Sequence, residues 1–154
     1  MAKSKAQLYE ELIQETSGLL EGESDMIANL ANVSALIWNK LPQVNWAGFY
    51  LMKGEELVLG PFQGKPACVR IPLGRGVCGT AAKTVQPQLI EDVHQFEGHI
   101  ACDQASNSEL VIPLVVNGEV KGVLDLDSPE FGRFDQEDLD GLQKVVDIVQ
   151  DSLS

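Results

Sequence analysis

Three cysteines, Cys68, Cys78 and Cys102, are the residues of this sequence that most directly suggest chemistry. No two of them are spaced as CxxC, so the sequence supports neither a thioredoxin-type motif nor a zinc ribbon. Cys78, in GVCGTAA, lies among small apolar residues at a predicted helix start, which favours buried packing. Cys68, in KPACVR, and Cys102, in GHIACDQAS, lie in polar, loop-like segments where a thiol is reachable and open to oxidation.

Two other interpretations of the cysteines stay open at this point. All three can be small core residues, since free cysteine is among the most buried residue types. Together with His94 or His99 they could instead form a scattered Cys3His zinc site, although their spacing matches no zinc motif. His99 could also assist the ionisation of Cys102, but nothing in the spacing of either histidine is diagnostic.

A second group of candidates is acidic. The tripeptide DLD places Asp125 and Asp127 on one face of a predicted strand. Two like charges one strand period apart raise each other's pKa unless a cation lies between them. The pair is either a solvated strand end or a site for an ammonium group or a proton.

Glu109 could join these aspartates only if the strand register shifts. A regular two-residue turn at Asn117-Gly118, a strong hairpin signal, would pair Glu109 with Leu126 and leave it on the wrong face. A β-bulge near Pro113 would move the pairing by one residue and bring Glu109 beside the aspartates. We predict such a bulge if Glu109 is functional.

Two aromatic residues share a face of another predicted strand, which covers residues 45–52. Trp46 and Tyr50 are four positions apart, so both side chains project in the same direction. They either belong to the core or form the wall of a small apolar pocket.

The elements that must position these residues follow an order typical of an α+β fold. Apolar spacing predicts an N-terminal helix ending near Gly22, a second helix capped by Ser24 or Asp25, a short helix over 77–83, and a last helix capped by Asp135. Strands are predicted over 45–52, 56–60, 68–71, 88–91, 109–116 and 119–127, and the stretch 60–79 is otherwise largely loop. We expect a central antiparallel sheet with helices packed on one face. Long loops, including the polar segment 92–108, should cover a ligand site on the other face.

Composition restricts the possible partners and compartment. The 154 residues, 44% of them hydrophobic, predict a single domain over residues 1–154. Lys and Arg number 11 against 23 Asp and Glu, and the net charge of −12 argues against nucleic acid and anionic membranes as partners. The odd cysteine count excludes a fully paired secreted framework, and no apolar run has the length of a signal or a span. We expect a cytoplasmic protein.

Three longer motifs resemble one known family. The runs LGPFQGKPACVRIPLGRGVCGTAA, IEDVHQFEGHIACDQASNSELVIPLVV and GVLDLDSPEFGRF are similar to those of the free methionine-(R)-sulfoxide reductases, small single-domain proteins of the GAF fold. The resemblance extends from about Trp46 to Phe134 and includes all three cysteines, a set that general GAF sensor domains do not share. It implies an oxidoreductase that reduces free L-methionine (R)-S-oxide to L-methionine, with a disulfide as acceptor.

The resemblance also implies a role for each cysteine. Cys102 matches the nucleophile, which becomes a sulfenic acid, and Cys68 matches the resolving thiol that forms a Cys68–Cys102 disulfide with it. Cys78 matches a cysteine with a secondary or alternative redox role.

The remaining site residues follow from the same motifs. The carboxylates of the substrate site are matched by Glu109, Asp125 and Asp127, with Glu109 and Asp127 also expected to take part in catalysis. Trp46 and Tyr50 match the aromatic wall that receives the S-methyl group. Clustered carboxylates suit this chemistry, because mutual repulsion keeps one of them protonated and another can hold the substrate ammonium group.

The family resemblance further implies thioredoxin as the external reductant, no bound cofactor or metal, and a homodimer. Two functions of other classes remain as alternatives: a GAF-type ligand-binding sensor without catalysis, and a zinc-binding interaction domain. Turnover of the free sulfoxide would distinguish the first alternative, and metal analysis the second.

Overall fold

The computed structural model of the protein describes residues 3–99 and 105–154. Its elements in chain order are α1 (Lys5–Leu20), α2 (Met26–Lys40), β1 (Trp46–Lys53), β2 (Glu56–Gly64), β3 (Arg70–Pro72), α3 (Gly76–Thr84), β4 (Gln88–Ile90), a one-turn 3-10 helix (Val93–Gln95), β5 (Ser108–Val116), β6 (Glu119–Ser128) and α4 (Gln136–Leu153). Across the described residues the strands form one antiparallel sheet in the order β3-β2-β1-β6-β5-β4, with β1 and β6 at its centre.

Side-chain caps explain where α1, α2 and α4 begin. Ser4 and Gln7 form a reciprocal capping box at the start of α1, and Asp135 and Asp138 form another at the start of α4. Of the two predicted caps of α2, it is Asp25 that accepts a hydrogen bond from a backbone N–H of the first turn. Each such cap contributes about 1 kcal/mol by satisfying N–H groups that the helix leaves unpaired.

One face of the sheet is covered by α1, α2 and α4. The strand residues that face these helices are apolar and fully or almost fully buried: Ala47, Phe49, Leu51, Leu110, Ile112, Leu114, Leu124 and Leu126. They alternate along each strand with residues of the opposite face, as the period of two requires. The predicted α+β arrangement is therefore confirmed, and Trp46 and Tyr50 share the opposite face of β1 as expected.

The opposite face is covered by α3 as well as by loops. Val77, Ala81 and Ala82 of α3 pack against Tyr50 and Val123 of the sheet, and loop residues join them. The sequence predicted the short helix but placed helices on one face only, and that detail is wrong. A stretch as small as GVCGTAA carries no apolar stripe wide enough to indicate which face it covers.

Strand β2 is longer than the sequence indicated. It continues through Pro61 to Gly64, whereas the sequence predicted a strand over 56–60 only. The pairing of β2 with β1 shifts by one residue between Gly48 and Tyr50, and Gly60 and Pro61 lie at this irregularity. A bulge tolerates a proline without an N–H donor, which is why the strand survives there.

The β5–β6 hairpin contains the register shift on which Glu109 depends. Its turn residues Asn117 and Gly118 both have positive φ, as a type I′ turn requires. Next to the turn Val115 pairs with Val120, but Leu114 pairs with Gly122, so Lys121 is the extra residue of a bulge. The predicted bulge is confirmed one residue from Pro113, with its extra residue on the partner strand.

Of the helices that the structure describes, none has the length and apolar character needed to cross a membrane.

Candidate functional site

A cavity of about 50 Å³ lies between the sheet and the start of α3. The sheet contributes an aromatic wall and three carboxyl groups, α3 contributes its first turn, and the loop after β2 contributes Pro66 and Ala67. His99 and Ser106, on either side of the undescribed residues, also line it. Most of the residues that the sequence singled out therefore meet in one place.

The strand register brings the carboxyl groups together. Trp46 of β1 pairs with Asp127 of β6, which in turn pairs with Glu109 of β5, so the three lie in one row across the sheet. Asp125 lies in the next row on the same face, opposite Gly48. Without the bulge at the hairpin, Glu109 would face the helical core instead.

These carboxyl groups are buried to a degree that changes their ionisation. Glu109 is 7% exposed and Asp125 is 5% exposed, whereas Asp127 is half-buried. Burial raises the pKa of Glu109 well above its usual range, and the charges of Asp125 and Asp127 raise it further. Burial also raises the pKa of Asp125, although hydrogen bonding from Glu109 and Cys78 opposes this. The directions fit a Glu109 that keeps its proton and shares it with Asp125.

One oxygen of this group has an unmet hydrogen-bonding requirement. Oδ1 of Asp125 is buried and has no hydrogen-bond partner among the residues that the structure describes. A buried polar atom left in this way costs free energy, commonly 1–3 kcal/mol or more for a charged group, as an order of magnitude. Because Asp125 lines the cavity, this oxygen is available to a donor or cation that enters it.

Cys78 lies beside the carboxyl groups rather than in an ordinary core. Its sulfur is 3.9 Å from Oε2 of Glu109, and its side chain is buried in the first turn of α3. Burial, and then the charges of Asp125 and Glu109, raise the pKa of this thiol well above its usual range. The prediction that Cys78 is buried is confirmed, but its contact with the acidic group was not foreseen, because it joins elements about 30 residues apart.

The aromatic wall is a stack of three rings. Trp46 and Tyr50 are 3% and 2% exposed, and their ring centroids are 5.8 Å apart. The ring of Phe62 of β2 also stacks on that of Trp46, with the centroids 5.1 Å apart. Gly48, between the two on β1, makes room for it, because a Cβ there would collide with Phe62. Sequence reasoning missed Phe62, although a glycine within an aromatic strand was a usable signal.

The wall is also joined to the loop that carries Cys68. The indole N–H of Trp46 donates to the carbonyl of Lys65 at 3.1 Å. The hydroxyl of Tyr50 donates to the carbonyl of Cys68 at 2.8 Å. Burial and the nearby Asp125 charge raise the pKa of Tyr50, so its hydroxyl keeps the proton that it donates. The two hydrogen bonds hold the segment 65–68 at the edge of the cavity.

The start of α3 brings a positive end of a helix to the cavity. Gly76, Val77 and the N-cap residue Arg75 all line it, and among the described residues no side chain caps this helix. Gly76 has φ +64, which favours glycine, and a Cβ on Gly79 would lie 2.6 Å from the carbonyl oxygen of Pro72. Both glycines let the start of α3 pack closely against the chain beside the cavity, and the first N–H groups of a helix carry partial positive charge. Sequence reasoning did not single out Arg75 or this helix terminus.

The two histidines lie in different environments, His99 at the cavity and His94 on the surface. His99 is half-buried at the cavity, where burial lowers its pKa, so it is neutral at neutral pH. His94 is exposed and its Nδ1 is 2.8 Å from Asp92, next to the ring of Phe131. Cys102, the predicted nucleophile, lies outside the described residues.

Comparison with known proteins decides the family. The sequence model described as "GAF domain" matches residues 29–154. The chain is 58% identical over 143 residues to the free methionine-R-sulfoxide reductase of Escherichia coli (strain K12), covering 93% of this chain and 87% of that protein. This chain belongs to the GAF-domain free methionine-R-sulfoxide reductase family. The recognition made from the three motifs is confirmed.

Other members of the free methionine-R-sulfoxide reductase family agree in sequence and in structure. The free methionine-R-sulfoxide reductase of Saccharomyces cerevisiae is 41% identical to this chain over 157 residues. The alignment covers 97% of this chain and 87% of the yeast protein. The X-ray structure of the Neisseria meningitidis enzyme in complex with its substrate superposes with a TM-score of 0.95 at 41% identity, covering 99% of this chain and 92% of that one. The fold of this chain is thus that of a family member solved with substrate.

Proposed function

We propose that this protein reduces free L-methionine (R)-S-oxide to L-methionine, as an oxidoreductase acting on sulfur with a disulfide as acceptor. The observation that carries the proposal is one cavity with an aromatic wall, buried carboxyl groups and a helix N-terminus. Its support is that relatives at 58% and 41% identity bear the name of this activity.

The cavity suits the two charged ends of a free amino acid. The unpartnered buried oxygen of Asp125 can accept a hydrogen bond from the substrate ammonium group. Asp127 lies one row away on the same face of the sheet, as a second carboxyl group near that position. The N–H groups at the start of α3, next to Arg75, can bind the α-carboxylate. A methionine sulfoxide within a polypeptide lacks both charges, so this pairing selects the free amino acid.

The side chain of the substrate then lies along the aromatic wall. Trp46 and Tyr50 contact the S-methyl group, where a sulfur–aromatic contact contributes about 0.3–1.5 kcal/mol. Glu109, which keeps its proton because of its raised pKa, can donate it to the sulfoxide oxygen. Asp127 assists by keeping the pKa of Glu109 high.

The redox step transfers two electrons from a thiol to the sulfoxide. The thiolate of Cys102 attacks the sulfoxide sulfur, the oxygen passes to the cysteine, and methionine leaves while Cys102 becomes a sulfenic acid. The thiol of Cys68 then attacks this sulfur, which releases water and forms the Cys68–Cys102 disulfide. A dithiol of the thioredoxin type reduces the disulfide by exchange. Bridging requires Cα atoms within roughly 7 Å, so the two loops must approach each other.

Two features of the described residues support these assignments. The half-buried Cys68 is held at the edge of the cavity by Tyr50, where it can reach a sulfenic acid formed there. Cys78 is fully buried and its thiol pKa is raised, which suits a contact in the pocket or a secondary redox role better than that of the nucleophile.

The decisive experiment measures NADPH consumption with thioredoxin, thioredoxin reductase and the free R sulfoxide. We expect turnover with the R epimer and none with the S epimer or with a peptide containing methionine sulfoxide. Cys102→Ser should abolish methionine formation, and Cys68→Ser should allow about one methionine per chain without recycling. Binding of the sulfoxide without turnover would instead make this a sensor, and turnover by Cys102→Ser would remove its assigned nucleophile.

The homodimer that the family resemblance implies would form through the outer faces of the first helices. Leu19, Met26 and Ile27 are exposed apolar residues at the junction of α1 and α2, where such an interface would bury them. We expect light scattering to give twice the chain mass and Ile27→Glu to give a monomer. A wild-type monomer would contradict the proposal. The cytoplasmic location stays a prediction from the sequence.

A further inference from the structure

Cys78, Glu109 and Asp125 form a compact set of potential metal ligands within the cavity. One ligand atom from each lies within 4.8 Å of the other two, and all three side chains are buried. The sulfur of Cys78 and Oε2 of Glu109 are 3.9 Å apart. In a tetrahedral zinc site, Zn–S and Zn–O bonds of about 2.3 and 2.0 Å place the two ligand atoms roughly 3.5 Å apart. The spacing of the Cys78 and Glu109 ligand atoms is therefore close to what zinc needs.

The unpartnered oxygen of Asp125 points independently to a cation. Oδ1 is buried, has no hydrogen-bond partner among the described residues, and belongs to a side chain that lines the cavity. An entering cation would satisfy this oxygen and reduce the repulsion among the neighbouring carboxyl groups. A substrate ammonium group would satisfy the same oxygen, so the two ligands exclude each other.

The donor set selects the class of metal. One sulfur and two carboxyl groups suit zinc or a similarly thiophilic divalent ion, whereas magnesium and calcium prefer oxygen donors only. The bonds that form join the metal to the sulfur of Cys78 and to one oxygen each of Glu109 and Asp125, and the protons of the Cys78 thiol and the Glu109 carboxyl group pass to solvent. No group is oxidised or reduced.

We propose that Cys78, Glu109 and Asp125 bind one Zn²⁺ ion and that this ion competes with the amino-acid substrate for the cavity. The site goes beyond the proposed function, since it assigns to the same pocket a ligand that undergoes no reaction. Zinc would then be a reversible inhibitor that a chelator removes.

The direct test uses the double variant Cys68→Ser/Cys102→Ser, in which Cys78 is the remaining thiol. Calorimetric titration with Zn²⁺ should give one ion per chain. Titration with Co²⁺ should give the near-ultraviolet absorption band of a cobalt–thiolate bond. Absence of stoichiometric zinc binding, or of the thiolate band, would overturn the site.

Ligand variants in that background identify the donors. Cys78→Ser and Asp125→Asn should each weaken zinc binding by about 100-fold or more, since changes outside the coordination sphere already cost 10–100-fold. Glu119→Gln, a change of an exposed carboxyl group at the first residue of β6, should leave the affinity unaltered. Circular dichroism checks the fold, and Asp125→Asn decides the question if Cys78→Ser does not fold. Unchanged affinity in Asp125→Asn would refute the assignment.

Competition is measured with methionine, the product, so that no turnover is needed. Saturating free methionine should weaken the apparent zinc affinity at least tenfold, and an unchanged affinity would refute the competition. Zinc titration does not depend on reductase activity. Failure of zinc binding in an active enzyme would overturn only this inference, whereas zinc binding in an inactive protein would leave it standing and reject the proposed function.

Discussion

The two faces of the central sheet are built from the same strands but have opposite compositions. The face under α1, α2 and α4 is covered by fully buried apolar residues such as Phe49, Leu110 and Leu124. The face under α3 buries Glu109 and Asp125 beside aromatic rings. Burying carboxyl groups opposes folding. The apolar burial on the face under α1, α2 and α4 must therefore offset the free-energy cost of the carboxyl groups on the face under α3. Changes on the two faces should therefore separate activity from stability.

The largest expected effect is the loss of activity in Glu109→Gln. The amide keeps the shape of the side chain but cannot donate a carboxylic proton, and general acid catalysis typically contributes 10²–10⁴-fold. We expect kcat/KM for the free R sulfoxide to fall by about 100-fold or more, with no loss in the free energy of unfolding. Glu119→Gln is the matched control. A strongly destabilised but fully active Glu109→Gln would reverse the roles of the two faces.

Leu142→Ala should do the opposite, lowering stability but not activity, because Leu142 lies in the core on the side of α1, α2 and α4. Leu142 of α4 is fully buried, and truncating a buried leucine to alanine commonly costs about 2–5 kcal/mol. Urea denaturation should show this loss, whereas kcat/KM at low temperature, where the variant is folded, should stay within about twofold of the wild type. An equal loss of activity would show that the core also determines the geometry of the cavity.

The cavity face should also make stability depend on pH. The pKa of Glu109 is raised in the folded state, so its contribution to stability is fully present below its ordinary value of 4.5 and is lost as the pH rises through the folded pKa. The stability of Glu109→Gln relative to the wild type should therefore increase with pH above about 4.5. Urea titrations of both proteins at several pH values measure this difference. A pH-independent difference would contradict the protonated Glu109.

The smallest effect is expected from Tyr50→Phe. This change keeps the ring of the wall but removes the hydrogen bond to the carbonyl of Cys68, and such a bond contributes about 0.5–1.5 kcal/mol. In single-turnover experiments, disulfide formation should slow by about 2- to 10-fold, more than methionine release. Equal slowing of both steps would indicate that Tyr50 acts only as part of the wall.

Much of the fold could be predicted because it depends on short-range patterns. The alternation in β1, the caps Asp25 and Asp135, and the Asn-Gly turn are each set by a few neighbouring residues. The bulge was predicted only on the condition that Glu109 is functional, because a regular Asn-Gly turn by itself pairs Glu109 with Leu126 rather than with Asp127. The length of β2 was not predictable in this way, because Pro61 is tolerated only through its pairing with another strand.

The sequence by itself determined the residue types, the strand faces and the motifs that identify the family. Only the tertiary structure decided that α3 covers the carboxyl face, that Cys78 touches Glu109, and that the wall residues Trp46 and Tyr50 hold the segment 65–68. The physical reason is the distance along the chain over which each effect acts. Backbone periodicity and capping act over a few residues, whereas burial, shared protons and an unpartnered Asp125 oxygen arise only when distant segments exclude water together.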